Sequence, residues 1–279
     1  MRCIFCKKDS EFSRSKEHIV PASLGNKDHV LPPGWVCDDC NNYLSREVEA
    51  PFLNSDYGKR ARFEMGIPSR RGRVPAITGF HSQSKTVINL LSDEKGLSIF
   101  ACSEKDEDRF AHAFRTRKHG TLYIPASGDP SPSYETARFI AKVGLEVLAH
   151  WGLTVAGWNE EVANKRELDE LRDYARRGRP DFIWPIHTRR IHPADRFFSD
   201  ATSADYQVLH EWDILFIPSA ESPASGEYYA AVAILGMEFV INLAGPEIEG
   251  FLQWLAENGN RSPLYKKPSA ERSNALDVP

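Results

Sequence analysis

The sequence predicts an α+β fold in which a small N-terminal module precedes a larger domain of mixed helices and strands. Residues 1–50 show little periodic apolar pattern and are rich in Cys, His, Asn and charge. Such a segment cannot bury a core of its own, so we expect a bound metal to hold it together. Beyond it, short apolar runs alternate with segments of helical periodicity. We therefore predict a module over 1–56, a basic linker over 57–75 and an α+β domain over 76–279.

The larger domain is expected to begin with strands, continue with helices and return to strands. Short strands are predicted over 85–92, 97–103 and 121–126. Helices are predicted from the N-cap residue Ser133 to Gly152, over 160–178, and from Pro246 onward. Further strands are predicted over 206–218, 228–235 and 238–244, with a hairpin signal at Gly236-Met237.

Composition narrows the class of protein. Hydrophobic residues make up 41% and charged residues 27%, as in ordinary soluble globular proteins. No apolar run approaches the roughly 20 residues that cross a bilayer, and the start lacks the apolar core of a signal peptide. We therefore expect a cytoplasmic protein with no membrane partner.

Positive charge is concentrated in one stretch although the formal net charge is −4. Residues 59–73 contain six Lys or Arg and one Glu. This asymmetry indicates a polyanionic partner, and a solvated linker is the alternative. The candidate phosphate-binding residues are Lys59, Arg60, Arg62, Arg70, Arg71 and Arg73.

Four of the five cysteines form two Cys-x-x-Cys pairs, Cys3 with Cys6 and Cys37 with Cys40. Two such pairs make a closed tetrahedral Zn²⁺ site, so a structural zinc ion is favoured over buried free thiols or a redox pair. The 30 residues between the pairs exceed the 15–20 of a simple zinc ribbon, so the loop contains further elements. The fifth cysteine, Cys102, is interpreted as a core residue.

The loop between the pairs carries an acid and an imidazole side by side, Glu17 and His18, before Pro21. Asn41 directly follows Cys40, the fourth cysteine of the two pairs, so closing the zinc site draws Asn41 towards His18. A neutral imidazole can take a proton from water near pH 7. A carboxylate and an amide oxygen can hold a hard cation such as Mg²⁺. Base, hard cation and bound phosphate together are typical of a phosphodiesterase site.

The pattern Cys-x2-Cys, Glu-His-Ile-Val-Pro, Cys-x2-Cys-Asn-Asn resembles the HNH endonuclease family over about residues 1–50. The resemblance implies a ββα-metal module knitted by zinc. It implies that His18 is the general base and that Glu17 and Asn41 hold one catalytic Mg²⁺ or Mn²⁺. The implied products carry 5′-phosphate and 3′-hydroxyl ends, and the implied partner is DNA.

Some assignments stay open at this point. The family usually has a middle Asn or His before the second cysteine pair, for which Asn26 and His29 are the candidates here. Asn42 is a rival to Asn41 as metal ligand. Adjacent strand residues point to opposite faces, so Glu17 and His18 share a site only if their strand bends or ends there.

The favoured function is a metal-dependent DNA endonuclease, with a role in bacterial restriction or anti-phage defence as a family-level analogy. The alternatives are a non-catalytic zinc module that binds nucleic acid or protein, and an RNA-directed nuclease. The region 76–279 carries no recognisable motif and could supply specificity, regulation or homo-oligomerisation.

Overall fold

The computed structural model describes residues 1–69, 72–93, 96–116, 120–124, 129–130, 132–193, 197–199, 205–207, 210–219 and 225–265. The described chain contains runs of helices and runs of antiparallel strands, and the predicted α+β class is confirmed. Within the described residues, no helix combines the length and apolarity needed to cross a membrane.

The N-terminal segment folds as two very short strands followed by a helix. Strand β1 (Glu17–His18) pairs antiparallel with β2 (Val30–Leu31). Helix α1 (Asp38–Leu44) continues through a π-helical turn (Ser45–Glu49) into α2 (Ala50–Asn54). The chain starts α1 at this point because Cys37 caps it with its sulfur and two aspartates follow, which the helix dipole favours.

The first half of the stretch predicted as a basic linker is a helix, α3 (Asp56–Glu64). Its N-cap is Ser55, whose hydroxyl accepts a hydrogen bond from the amide of Gly58 at 3.1 Å. Tyr57 is buried, and its hydroxyl donates to the carbonyl of Ile234 at 3.0 Å. Periodicity was hard to see here because the buried side of α3 includes a glycine and an arginine. The domain boundaries stay a prediction.

A four-stranded antiparallel sheet follows in the order β5-β4-β3-β6. Its predicted members are β4 (Thr86–Asp93), β5 (Gly96–Ala101) and the short β6 (Leu122–Tyr123). Two further elements, β3 (Ile77–His81) and α4 (Glu104–Thr116), were not predicted from the sequence. Phe110 of α4 packs against Ile88 and Leu90, so the helix covers one face of the sheet.

The second antiparallel sheet has the order β10-β11-β12-β7. Its strands are β7 (Ile186–Arg190), β10 (His210–Pro218), β11 (Gly226–Ile234) and β12 (Met237–Asn242). The hairpin between the last two turns at Leu235-Gly236, one residue before the predicted place, and both residues have positive φ. A separate antiparallel pair, β8 (Phe197–Ser199) and β9 (Asp205–Gln207), lies between β7 and β10 in sequence.

The long helix α5 (Tyr134–Trp151) is buried along almost its whole length and is capped by Ser133, as predicted. The single helix predicted over 160–178 is instead two helices, α6 (Trp158–Asn164) and α7 (Asp169–Arg177), joined through a 3₁₀ turn (Arg166–Leu168). The break brings backbone carbonyls around the buried guanidinium of Arg172. The last helix is α8 (Glu249–Glu257).

One hydrophobic core joins the N-terminal segment to the larger region. Phe52 of α2 stacks on Phe139 of α5, with ring centroids 4.0 Å apart and an interplanar angle of 8°. The same buried cluster extends from Cys3 to Leu243. The N-terminal segment therefore does have a core, which sequence analysis did not foresee because the partner residues lie far along the chain.

Candidate functional site

The two cysteine pairs meet at one point. The four sulfur atoms lie within 4.8 Å of one another, and those of Cys6 and Cys37 are 3.6 Å apart. That separation is far longer than the roughly 2.05 Å of a disulfide. It matches the edge of about 3.8 Å expected when four sulfurs surround Zn²⁺ at about 2.3 Å. The geometry therefore fits a closed Cys₄ zinc site.

The chemistry of the thiols points in the same direction. A hydrogen bond with Cys40 lowers the pKa of the Cys3 thiol to about 5 and raises that of Cys40. Burial raises the pKa of the Cys37 thiol to about 11. Four thiols so close together must share protons, and a dication would replace those protons because a coordinating thiol is deprotonated.

Asn41 directly follows Cys40 of this cluster, and its side chain contacts Glu17. The Asn41 side-chain amide donates to Glu17 Oε2 at 2.7 Å. Asp38 brings the two segments together, because one of its oxygens accepts from the backbone amides of Arg14 and Ser15, just before β1. The rival residue Asn42 is exposed on the first helix. The structure thus pairs Glu17 with Asn41, and their roles stay a prediction.

His18 is the last residue of β1 and is half-buried, whereas Glu17 is 5% exposed. The strand therefore ends at the predicted base, as a shared site requires. Of the two candidates for the middle position, Asn26 is buried and its amide donates to the carbonyls of Val20 and His29. It fixes the loop after β1.

The imidazole of His29 lies elsewhere. It packs edge-on against Trp212 of the second sheet, with ring centroids 4.0 Å apart. His29 is therefore engaged with the larger region, and Asn26 is the candidate that bridges the loop.

Comparison with known families agrees with this arrangement. The family model described as HNH endonuclease matches residues 3–56. This segment is an HNH module. Searches of curated proteins and of solved structures found no significant match to the chain. The sequence-based resemblance is thus confirmed, and it supports nuclease activity in general.

The HNH module contacts helix α5 through a buried ammonium group that sequence analysis missed. Lys142 is fully buried, and its Nζ lies 2.7 Å from Glu17 Oε1, 2.7 Å from Glu49 Oε1 and 2.8 Å from Glu146 Oε2. It also donates to the carbonyl of His18 at 3.2 Å. The available signal was a Lys and a Glu four residues apart on the apolar face of a helix.

Burial and charge act in opposite directions on this group. Burial alone would lower the pKa of Lys142, but Glu146, Glu17 and Glu49 together raise it well above its ordinary value. Burial raises the pKa of Glu146 well above its ordinary value despite the adjacent ammonium. The neighbouring carboxyl groups therefore favour the ammonium form of Lys142 beneath the HNH module.

A second long side chain of α5 also reaches the HNH module. Arg138 donates to the carbonyl of Glu47 at 3.1 Å and to the hydroxyl of Tyr43 at 2.9 Å. It donates as well to two carbonyls at the end of α7, those of Ala175 and Arg176. The module's helix is thus tied to the larger region at two points, through Arg138 and through Lys142.

The predicted phosphate-binding residues have different surroundings. Lys59 and Arg73 are exposed, and Arg60 pairs with Glu64 at 2.6 Å on the same helix. Arg62 is only 7% exposed, which corrects its interpretation as a phosphate contact, because it packs on the buried side of α3. Arg70 and Arg71 lie outside the described residues.

A hard cation would find a suitable donor set in this module. The Glu17 carboxylate and the Asn41 side-chain carbonyl are oxygen ligands of the kind that Mg²⁺ and Mn²⁺ prefer, and few protein ligands leave room for water and phosphate. The hydrogen bond from the Asn41 amide nitrogen to Glu17 Oε2, at 2.7 Å, brings the two side chains to one place.

Proposed function

We propose that this chain is a divalent-metal-dependent endonuclease that hydrolyses DNA phosphodiester bonds with its HNH module. The observation that carries the proposal is the contact between Glu17 and Asn41 directly beside His18, within the segment that matches the family. The cysteine cluster supports a structural zinc ion, Zn²⁺ held by Cys3, Cys6, Cys37 and Cys40.

In the proposed reaction, His18 accepts a proton from a water molecule, which then attacks phosphorus. Glu17 and Asn41 would hold Mg²⁺ or Mn²⁺, which supplies positive charge to the phosphate and to the leaving 3′-oxygen. Asn26 keeps the loop after His18 in place through its two hydrogen bonds to backbone carbonyls. The products would carry 5′-phosphate and 3′-hydroxyl ends.

DNA is the proposed substrate because exposed cations follow the module. Lys59 projects from α3, and Arg73 lies on the segment that leads to the first sheet. Contacts of this type neutralise phosphates without reading sequence. They leave the recognition sequence to other parts of the protein.

The test is nicking of a supercoiled plasmid by zinc-loaded protein in Mg²⁺ or Mn²⁺. We expect His18→Ala to lose about 10²- to 10⁴-fold in rate, the usual contribution of a general base. Nicks should be sealed by DNA ligase without prior phosphorylation, because the proposed products have the ends that ligase needs. Zinc content and circular dichroism must match the parent protein.

The chain offers a matched control in two neighbouring asparagines. Asn41→Ala should lower the rate by at least about 10-fold, as expected on disturbing a metal site, whereas Asn42→Ala should not. Equal loss in both variants would contradict the assignment of Asn41. Cleavage that survives His18→Ala would contradict the base.

The same experiment separates the alternatives. Metal-dependent cleavage of RNA but not DNA would identify an RNA-directed nuclease, and binding without cleavage would identify a non-catalytic zinc module. A role in restriction or anti-phage defence predicts fewer phage plaques on cells that express the parent protein than on cells that express His18→Ala. Cytoplasmic location and homo-oligomerisation stay predictions.

A further inference from the structure

The Glu17 carboxylate is held at both of its oxygens by different parts of the chain. Oε2 accepts from Asn41 of the HNH module, and Oε1 is 2.7 Å from Nζ of Lys142. Lys142 belongs to α5, outside the segment that the family model matches. The orientation of this carboxylate therefore depends on a residue of the larger region.

The same ammonium also reaches the proposed base. Lys142 Nζ donates to the backbone carbonyl of His18 at 3.2 Å. A single buried group thus contacts both residues of the Glu-His pair, one through its side chain and one through its backbone. The π-helical turn that ends at Glu49 contributes a third contact, so the strand, the helix and α5 meet at one atom.

A purely structural purpose does not account well for this cluster. Buried ion pairs are often no more stabilising than apolar side chains of similar volume, because removing charges from water is costly. Here one ammonium group donates to Glu17, Glu49 and the carbonyl of His18, and it also lies 2.8 Å from the buried carboxyl group of Glu146. The cluster is costly, and one of its members is the residue that faces Asn41.

We propose that Lys142 is a positioning residue of the nuclease site, which orients the Glu17 carboxylate so that its second oxygen and Asn41 face the catalytic ion. This inference rests on the proposed function, in which Glu17 holds that ion. It makes the larger region a component of the catalytic site, in addition to any role in specificity.

The test compares two variants that differ only at position 142. The background E49Q/E146Q removes the surplus carboxylates and keeps the contact between Lys142 and Glu17. Adding Lys142→Met to this background leaves Glu17 without its cation. Because Glu49 and Glu146 are already Gln, fewer unpaired carboxylates remain buried than in Lys142→Met alone. Both proteins must be zinc-loaded and match the parent in circular dichroism.

The first readout needs neither metal in the active site nor activity. The side-chain amide protons of Asn41, assigned by their disappearance in Asn41→Asp, report the hydrogen bond to Glu17 in NMR spectra. We expect them to be shifted and slow to exchange in E49Q/E146Q, and to move to solvent-like values when Lys142→Met is added. The second readout is plasmid cleavage at saturating Mg²⁺, expected to fall at least about 10-fold with Lys142→Met, by analogy with loss of outer-sphere partners of metal ligands.

A folded Lys142→Met protein that keeps the protected Asn41 amide would overturn the inference. If that variant does not fold, Lys142→Gln in the same background is judged by the same two readouts, because its amide is neutral and of similar length. Absence of cleavage by the parent protein would contradict the proposed function instead, and the Asn41 amide would still decide whether Lys142 positions Glu17.

Discussion

The stack of Phe52 on Phe139 allows a quantitative test of the shared core. Both rings are fully buried, one in the HNH module and the other in α5, which is about ninety residues later in the chain. Phe139→Ala removes one ring from a cluster that includes residues of both regions. The change should therefore destabilise the module although the substitution lies outside it.

The expected loss follows from burial. A fully buried Phe replaced by Ala costs about 3–5 kcal/mol, of which roughly 0.5–1.5 kcal/mol reflects a well-oriented aromatic pair. Domains typically have a free energy of unfolding of about 5–15 kcal/mol. Phe139→Ala should therefore remove about a fifth or more of the total free energy of unfolding.

The assay is urea unfolding monitored by two probes in the same samples. Circular dichroism at 222 nm reports mainly the helices of the larger region, and a chromogenic zinc chelator reports opening of the cysteine cluster. We expect the two transitions to coincide in the parent protein, and both to move to lower urea together in Phe139→Ala.

Phe12 provides the control, because it lies in the HNH module but is 88% exposed. Phe12→Ala should change the free energy of unfolding by no more than about 0.5 kcal/mol. A shared core would be contradicted if zinc release and loss of helix occurred at separate urea concentrations and Phe139→Ala moved only the loss of helix.

Three further predictions concern binding, pH and backbone packing. Replacing exposed Lys59 and Arg73 together by Gln should make DNA binding less dependent on salt, measured by fluorescence anisotropy, with the slope falling by about 0.9 for each phosphate that is no longer neutralised. Burial lowers the pKa of His150 below its ordinary value of 6.5, so the folded protein favours the neutral imidazole and loses stability as pH falls below 6.5. His150→Gln should therefore reduce the drop in melting temperature between pH 7 and pH 5, measured by thermal melts. Gly58→Ala should lower the melting temperature in the same experiment, because the added Cβ would lie 2.4 Å from a backbone oxygen of α2. This clash should outweigh the helix preference of Ala over Gly, which is about 1 kcal/mol. A higher melting temperature would contradict the prediction.

Local signals predicted much of the structure. The cysteine spacing predicted a four-sulfur cluster, and the structure brings Cys3, Cys6, Cys37 and Cys40 together. The cap at Ser133 and the apolar stripe behind it predicted α5, and two apolar runs around a hairpin signal predicted β11 and β12. Each of these features depends on short local patterns, which is why it can be predicted from a single sequence.

Features that depend on distant residues were missed. Arg172 bends the predicted helix 160–178 because it donates to the carbonyls of Val162 and Lys165 as well as to that of Ile4. Cys102, interpreted as a core residue, is exposed just after β5. Glu17 could be identified as a candidate ligand, but its contact with Lys142 spans more than a hundred residues and leaves no trace in local spacing.

The core shared by the HNH module and α5 sets an order of events during synthesis. The module is translated before α5, and before the strands β11 and β12 whose side chains belong to the same buried cluster. At a typical rate of 5–20 residues per second, roughly 10–40 s pass between completion of the module and completion of β12. Until α5 has been made, about midway through that interval, Phe52 lacks the ring of Phe139 and Glu17 lacks the ammonium group of Lys142. The nascent module is therefore held back from its final structure until most of the protein has been made.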